Sequence, residues 1–445
     1  MPQTRVKSRD TLGIDLDDGR VLFLPGGTIT GTIFRQQTII STEATISLVL
    51  RGRTKSIFLV STGQTTVVYR GRFTLINVSQ EIFSGPLHIP KDSHKRREWK
   101  FTVEIPQKID PSLLPKYKAH ESFIDPEIVD TLTLPASFVS LHGADQAFIE
   151  YYLEAKIRFQ KERSWVEETA KMPIRMLAHS HPPTHPASAS FLSIPRSVSS
   201  QRLLPGMENA HLTAGQRFKK LLGAPSVPEL AFHLELEIPN EIHVDQRPVS
   251  ITMRAVPYWP STHEALKNQP QKVRLINFKA TLESRCAILC EGYSWAISKT
   301  SWKEKAVLST PSQSLATAIE IPFSSDEPAI NIGQALDLWV ESEGKNSAVF
   351  QDFTTFNITL KHKLYWAAKI EIAQETISFN GVQNIVVQPP IDGASAPEYI
   401  ESEPLPEYET DTSIDAADQK GKPPSFEEAQ GIEVKHKNSS HDKGH

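Results

Sequence analysis

Two cysteines in 445 residues exclude a disulfide framework. Cys286 and Cys290 stand four apart in a segment that reads as a strand, where such positions lie about 13 Å apart, beyond bridging distance. Both are expected to be small core residues. No stretch approaches the ~20 apolar residues that span a bilayer, and the first 18 residues lack the apolar core of a secretory signal, so a soluble, intracellular protein is expected. Long runs of 3.6-residue periodicity are nearly missing too, which argues against a helical bundle. The sequence holds no Gly-x-Ser-x-Gly, His-Glu-x-x-His or Cys-x-x-Cys, and no catalytic constellation stands out. Pro25-Gly-Gly-Thr-Ile-Thr-Gly31 is glycine-rich but lacks the Lys-Ser/Thr of a phosphate-binding loop and leads into a strand pattern, so turn geometry is the simpler reading. His179, His181 and His185 have no helical or strand frame to hold a metal and read as part of a solvated linker. No enzyme activity, cofactor, metal or nucleic-acid partner is expected.

What is present is short alternation of apolar and polar residues broken by Gly, Pro, Asn or Ser. Thr45–Arg51, Ser56–Val60, Arg72–Val78, Trp99–Ile105 and Ala147–Ile157 form one such series. A second contains Leu230–Ile238, Val249–Val256, Val273–Leu282, Ala316–Ile321, Phe353–Leu360 and Tyr365–Ile372. Short strands with one apolar face bury it most simply by packing two antiparallel sheets, so an all-β chain of two tandem antiparallel β-sandwiches is expected. Their bounds are 14–175 and 229–388, after a flexible N-terminus at 1–13. The Pro-, Ser- and His-rich stretch at 176–228 reads as a linker or long surface loop, within which Ala214–Leu222 has the spacing of a short basic amphipathic helix.

The last 57 residues, 389–445, hold 13 Asp/Glu against 5 Lys/Arg, a net charge of −8, while the rest of the chain carries 43 basic and 39 acidic residues, net +4. With no apolar run to offset the entropy of folding, this acidic tail is expected to be disordered. Its three aromatic residues, Tyr399, Tyr408 and Phe426, each follow a proline by two positions, after Pro397, Pro406 and Pro424. Seven of the 57 residues are proline, so this register arises by chance roughly one time in five hundred, too rarely to be set aside. Proline pre-sets an extended, low-entropy conformation and the aromatic two positions on fills a pocket, which is the grammar of a WW-domain ligand.

Four segments of the first half carry a family resemblance. Phe23-Leu-Pro-Gly-Gly-Thr-Ile-Thr-Gly31, Ile105-Pro106, Leu134-Pro-Ala-Ser-Phe138 and Ile149-Glu-Tyr-Tyr-Leu-Glu-Ala155 resemble, in order and spacing, the arrestin N-terminal domain. Leu230–Ile238 and Ile358–Leu364 resemble its C-terminal domain. With the tail, the chain resembles the α-arrestins, of the fungal type, over about residues 14–388. That likeness implies an adaptor that links the cytosolic regions of plasma-membrane transporters or receptors to a WW-domain HECT-type ubiquitin ligase for ubiquitination and endocytosis. It implies a cytoplasmic protein recruited to the plasma membrane or endosomes by peripheral association. The tail departs from the family's Pro-Pro-x-Tyr: Leu405-Pro406-Glu-Tyr408 matches a Leu-Pro-x-Tyr variant, Ala396-Pro397-Glu-Tyr399 lacks the first proline, and Pro423-Pro424-Ser-Phe426 replaces the tyrosine. Three weak sites on one tail gain by avidity. The alternative is an arrestin-fold scaffold for sorting or signalling complexes without ligase recruitment.

Two further sites are expected. His94-Lys95-Arg96-Arg97 with Lys100 is a basic cluster suited to acidic lipid or an acidic cargo tail. Arg196-Ser197-Val-Ser199-Ser200 places serines after a basic residue in the expected linker, a candidate for phosphorylation.

Overall fold

Alternation of period two decides the architecture of the body, since it gives each strand one apolar face to bury. The computed structural model describes residues 12–61, 65–90, 96–113, 122–124, 132–178, 188–208, 227–291, 297–308, 318–340 and 349–390. Its first half contains β1 (Gly13–Leu16), β2 (Leu22–Phe23), β3 (Thr28–Arg35), β4 (Ile39–Ser61), β5 (Thr66–Ile89), β6 (Arg97–Glu104), β7 (Phe138–His142), β8 (Asp145–Lys161) and β9 (Ser164–Met176). The second contains β10 (Ala189–Ser199), β11 (Glu229–Pro239), β12 (Glu241–His243), β13 (Thr252–Pro257), β14 (Val273–Glu291), β15 (Ile297–Val307), β16 (Ile319–Ile321), β17 (Ile330–Asn331), β18 (Phe353–Thr354), β19 (Ile358–Ile372) and β20 (Glu375–Gln388). The fold is all-β, as expected, and among the described residues no helix is long and apolar enough to cross a membrane.

Each half has its own core. In the first, the sheet β1-β3-β6 lays Ile29, Ile33, Trp99, Phe101 and Val103 against Leu48, Leu50, Leu75 and Leu153 of β4, β5 and β8. In the second, β10-β11-β13-β17 lays Leu234, Leu236 and Met253 against Leu275, Leu282, Trp366 and Ile370 of β14 and β19. The outer layers of both halves join through one pair, Glu291 of β14 opposite Arg70 of β5, so a single sheet runs from β12 to β2 across the molecule.

An uncharged polar knot pins that crossing. Thr54 Oγ1 donates to Asn357 Oδ1 (2.5 Å), Asn357 Nδ2 donates to Ser56 Oγ (2.7 Å), and Ser56 Oγ donates to the Leu289 carbonyl (2.9 Å). Thr54, Ser56 and Asn357 are fully buried, and because they satisfy one another their desolvation cost is offset. Gly71 is required here: a Cβ would lie 2.4 Å from Ser56 Oγ and 2.6 Å from the Leu289 oxygen.

The segments that carry the family resemblance meet in space. The Pro25-Gly26-Gly27 turn and Ile105 exchange backbone bonds, Gly26 N–H to Ile105 O (3.0 Å) and Ile105 N–H to Gly27 O (2.8 Å). Tyr151, fully buried, donates its hydroxyl to the Pro135 carbonyl (2.7 Å), and Ser137 Oγ accepts from the Met176 N–H (2.9 Å).

Two expectations about elements are revised. Thr45–Arg51 and Ser56–Val60 are one strand, β4, because Gly52 does not turn the chain; it clears space for the Tyr151 ring, which a Cβ would approach to 2.5 Å. Within the expected linker at 176–228, residues 189–199 form β10, paired along its whole length with β11. Leu192, Ile194 and Val198 alternate between the Ser and Pro residues and turn onto the second core. His179, His181, His185 and Ala214–Leu222 lie outside the described residues.

Candidate interaction surface

The strongest candidate site is the outer face of the first half's long sheet, and local sequence builds it directly. Arg51-Gly-Arg53-Thr-Lys55 on β4 and Arg70-Gly-Arg72 on β5 place cations at every second position, hence on one face. The antiparallel register brings the two rows together: Lys55 stands opposite Arg72, and Ile57 opposite Arg70. On the other side, β8 sets Tyr152 opposite Arg51 and Glu150 opposite Arg53, and β9 sets Lys171 opposite Glu154. Arg51, Arg53, Lys55, Arg70, Arg72, Lys156 and Lys171 thus share a face with two buried carboxylates, Glu150 and Glu154, and with Glu167 and Glu291 at its edges.

Those carboxylates are already engaged. Glu150 takes both Arg53 Nε and Lys55 Nζ at 2.5 Å, and Glu154 takes Lys156 (3.2 Å) and Lys171 (3.7 Å). Tyr152, 1% exposed, lies beneath, with the Arg53 guanidinium 4.9 Å and the Lys171 ammonium 5.7 Å from its ring centre. Arg51, half-buried opposite Tyr152, makes no side-chain hydrogen bond or ion pair among the described residues, and its Nε is shut off from solvent. Burial lowers the Lys55 ammonium to about 8; Glu150 opposes that shift, and the positive charges of Arg53 and Arg72 add to it. Glu167, exposed on β9, also takes Lys156 (3.7 Å), so Arg51 is where this face holds a cation that its own carboxylates do not engage among the described residues, in a partly dehydrated setting where an incoming anion is strongly attracted.

The basic cluster expected from sequence is a weaker candidate. Arg96 is tied to Asp15 (2.6 Å) and Glu98 (2.5 Å) and lies over the Phe34 ring at 4.6 Å. The hydrogen bonds it donates to Glu98 and then to Asp15 raise its already high ionisation range. Arg97 and Lys100 are exposed on β6, and Lys95 lies outside the described residues. Of the three serines, Ser197 is exposed on β10 and Ser199 is half-buried. Ser200 is fully buried, its hydroxyl set between the Arg202 N–H and Glu375 Oε1, each at 3.4 Å, so the expectation of a modifiable Ser200 fails on access. The tail motifs around Pro397, Tyr399, Leu405, Pro406, Tyr408, Pro423, Pro424 and Phe426 lie outside the described residues. Cys286 and Cys290 are free and buried on β14, as expected of core residues. No group of three or more metal-ligating side chains occurs among the described residues.

Comparison of the sequence with protein-family models gives no match, and comparison with curated proteins gives none. The functional argument therefore rests on the surface itself.

Proposed function

We propose that the chain is a non-enzymatic trafficking adaptor of α-arrestin type. Its body docks an acidic cytosolic segment of a membrane transporter or receptor on the cationic face of β4, β5, β8 and β9, and its tail recruits a WW-domain HECT-type ubiquitin ligase. The observation that carries the reading is Arg51, a half-buried guanidinium with no hydrogen-bond or ion-pair partner among the described residues, which is a poor choice for stability and a good one for capturing a carboxylate in a two-pronged hydrogen bond. The regular Pro-x-aromatic register of the tail supports the second arm.

The two arms are expected to separate. A chain lacking residues 389–445 should keep its cooperative melt and its affinity for an acidic cargo peptide while losing ligase capture and cargo ubiquitination. Arg51→Glu with Arg53→Glu should do the reverse. Within the tail, Tyr408→Ala should weaken WW-domain capture most, since Leu405-Pro406-Glu-Tyr408 alone keeps the tyrosine together with a large apolar side chain in the first position. Cargo ubiquitination that persists without residues 389–445 would favour the scaffold that assembles sorting or signalling complexes without a ligase.

A further inference from the structure

A second site with different chemistry lies where β7 of the first half crosses the face of β14 and β15. A cleft of about 180 Å³ there is lined by Phe138, Phe350, Leu360, Cys286, Trp302 and Glu304, among others, with room for several water-sized groups. Its aromatic walls are set at angles to one another. The Phe138 and Phe350 rings stand 4.9 Å apart at 78°, and Trp302 is backed by His142, parallel to within 7° at 6.1 Å. The Trp302 N–H is taken by Ser140 Oγ (2.9 Å), whose hydroxyl in turn reaches Glu304 Oε1 at 3.4 Å.

Glu304 is the odd member. It is half-buried, and among the described residues no cation pairs with it. Its sequence neighbours Lys303 and Lys305 project to the other face of β15 and go to Glu283, at 2.8 Å and 3.9 Å. The Cys286 thiol is pushed up to about 12, first by burial and then by the negative charge of Glu304, so that charge is felt at the cleft wall. An uncompensated carboxylate beside several aromatic rings attracts a cation electrostatically twice over. Of the other lining side chains, Val139, Leu141, Leu360 and Cys286 offer no strong acceptor, and Ser140 is already engaged by Trp302 and Glu304, leaving Ser284; so sparse a set disfavours a strongly hydrated ammonium or metal ion and suits a cation whose charge is clothed in methyl groups.

We propose that this cleft binds a small organic cation of the quaternary ammonium class, such as the trimethylammonium group of choline, with the rings as its cage and Glu304 as its counter-ion. The site is independent of the cationic face and of the adaptor reading.

Titrating the full chain with choline while following tryptophan fluorescence tests it, with Trp302→Phe identifying the source of the signal. Saturable binding is expected, with 3,3-dimethyl-1-butanol, the uncharged isostere, binding about tenfold or more weakly. Glu304→Gln should lose a similar factor while melting like the parent. Phe350→Leu, at the rim and partly exposed, should also weaken choline if the glutamine variant is misfolded. Co-sedimentation with phosphatidylcholine against phosphatidylglycerol vesicles distinguishes the source: capture by the first that depends on Glu304 marks a lipid headgroup, and choline binding without vesicle capture marks a soluble ligand. Equal binding of choline and its isostere, unchanged binding by Glu304→Gln, or vesicle capture without choline binding would each overturn the assignment.

Discussion

The two halves of the body present cationic sheet faces that differ in depth more than in count. On the second half, Lys279, Lys363 and Lys369 stand exposed on β14 and β19, and the cations that do pair reach outward: Lys303 and Lys305, with side chains 54% and 65% exposed, share Glu283, and Arg274 pairs with Glu371. On the first half, Arg53 and Lys55 are 19% and 5% exposed, and Arg51 sinks beside Tyr152. A solvated lysine at high dielectric exerts little directed attraction, whereas a dehydrated guanidinium exerts several times more at the same separation. The difference teaches that net charge is a poor guide to where an acidic partner docks. What matters is which cations have already lost their water to the fold.

The largest expected effect breaks this comparison directly. Arg51→Glu with Arg53→Glu should weaken binding of a fluorescent acidic peptide by about a hundredfold or more, since each charge-assisted hydrogen bond contributes ~1.5–3 kcal/mol. Lys279→Glu with Lys363→Glu, the same change of charge on the other half, should cost less than about threefold, as expected for exposed charges. Equal losses in anisotropy titrations would mean that overall charge governs binding and that burial is irrelevant.

A smaller effect sharpens the comparison by setting stability against affinity. Arg51 Nε is buried without an acceptor among the described residues, so Arg51→Met should stabilise the body by about 1 kcal/mol while reducing peptide affinity roughly tenfold. Urea unfolding and peptide titration on the same protein read both signs. A destabilised methionine variant would show that the arginine stem is there for packing, and the face would lose its claim to function.

Much of this was legible in the sequence, and what was not has identifiable causes. Period-two alternation marked most of the strands and the two cores, because burial of one face is written locally. Arg51-x-Arg53-x-Lys55 and Arg70-x-Arg72 were equally visible as spaced cations, yet nothing local says that the two rows lie side by side; that follows from the β4–β5 register, including its shift between Gly52 and Arg53. The run at Arg96 and Arg97 drew notice because its charges are adjacent, and adjacency in a strand sends neighbours to opposite faces. Strand β10 was hidden because Pro195 and four serines gave its segment the composition of a loop, while Leu192, Ile194 and Val198 carried the pattern beneath. Glu304 gave no signal, since its isolation depends on Lys303 and Lys305 turning the other way.

The smallest expected effect follows from Lys55. Its ammonium is held down to about 8 by burial first, with Arg53 and Arg72 adding to the shift and Glu150 opposing it. In the unfolded chain it would titrate at the ordinary lysine value, so the charged form is disfavoured in the folded body and stability rises with pH between about 8 and that ordinary value. An acidic peptide laid over the face favours the charged form and raises the Lys55 value in the complex. Affinity should therefore be full below pH 8 and fall several-fold as pH rises through the interval between the free and bound values, with net proton uptake on binding near pH 8.5. Lys55→Arg, which stays charged throughout, should flatten that profile. Peptide titrations from pH 6.5 to 9.5 with both proteins test this. If the parent and the Lys55→Arg variant lose affinity in parallel, the titrating group lies elsewhere, and Lys55 belongs to the scaffold of the face instead of to its binding surface.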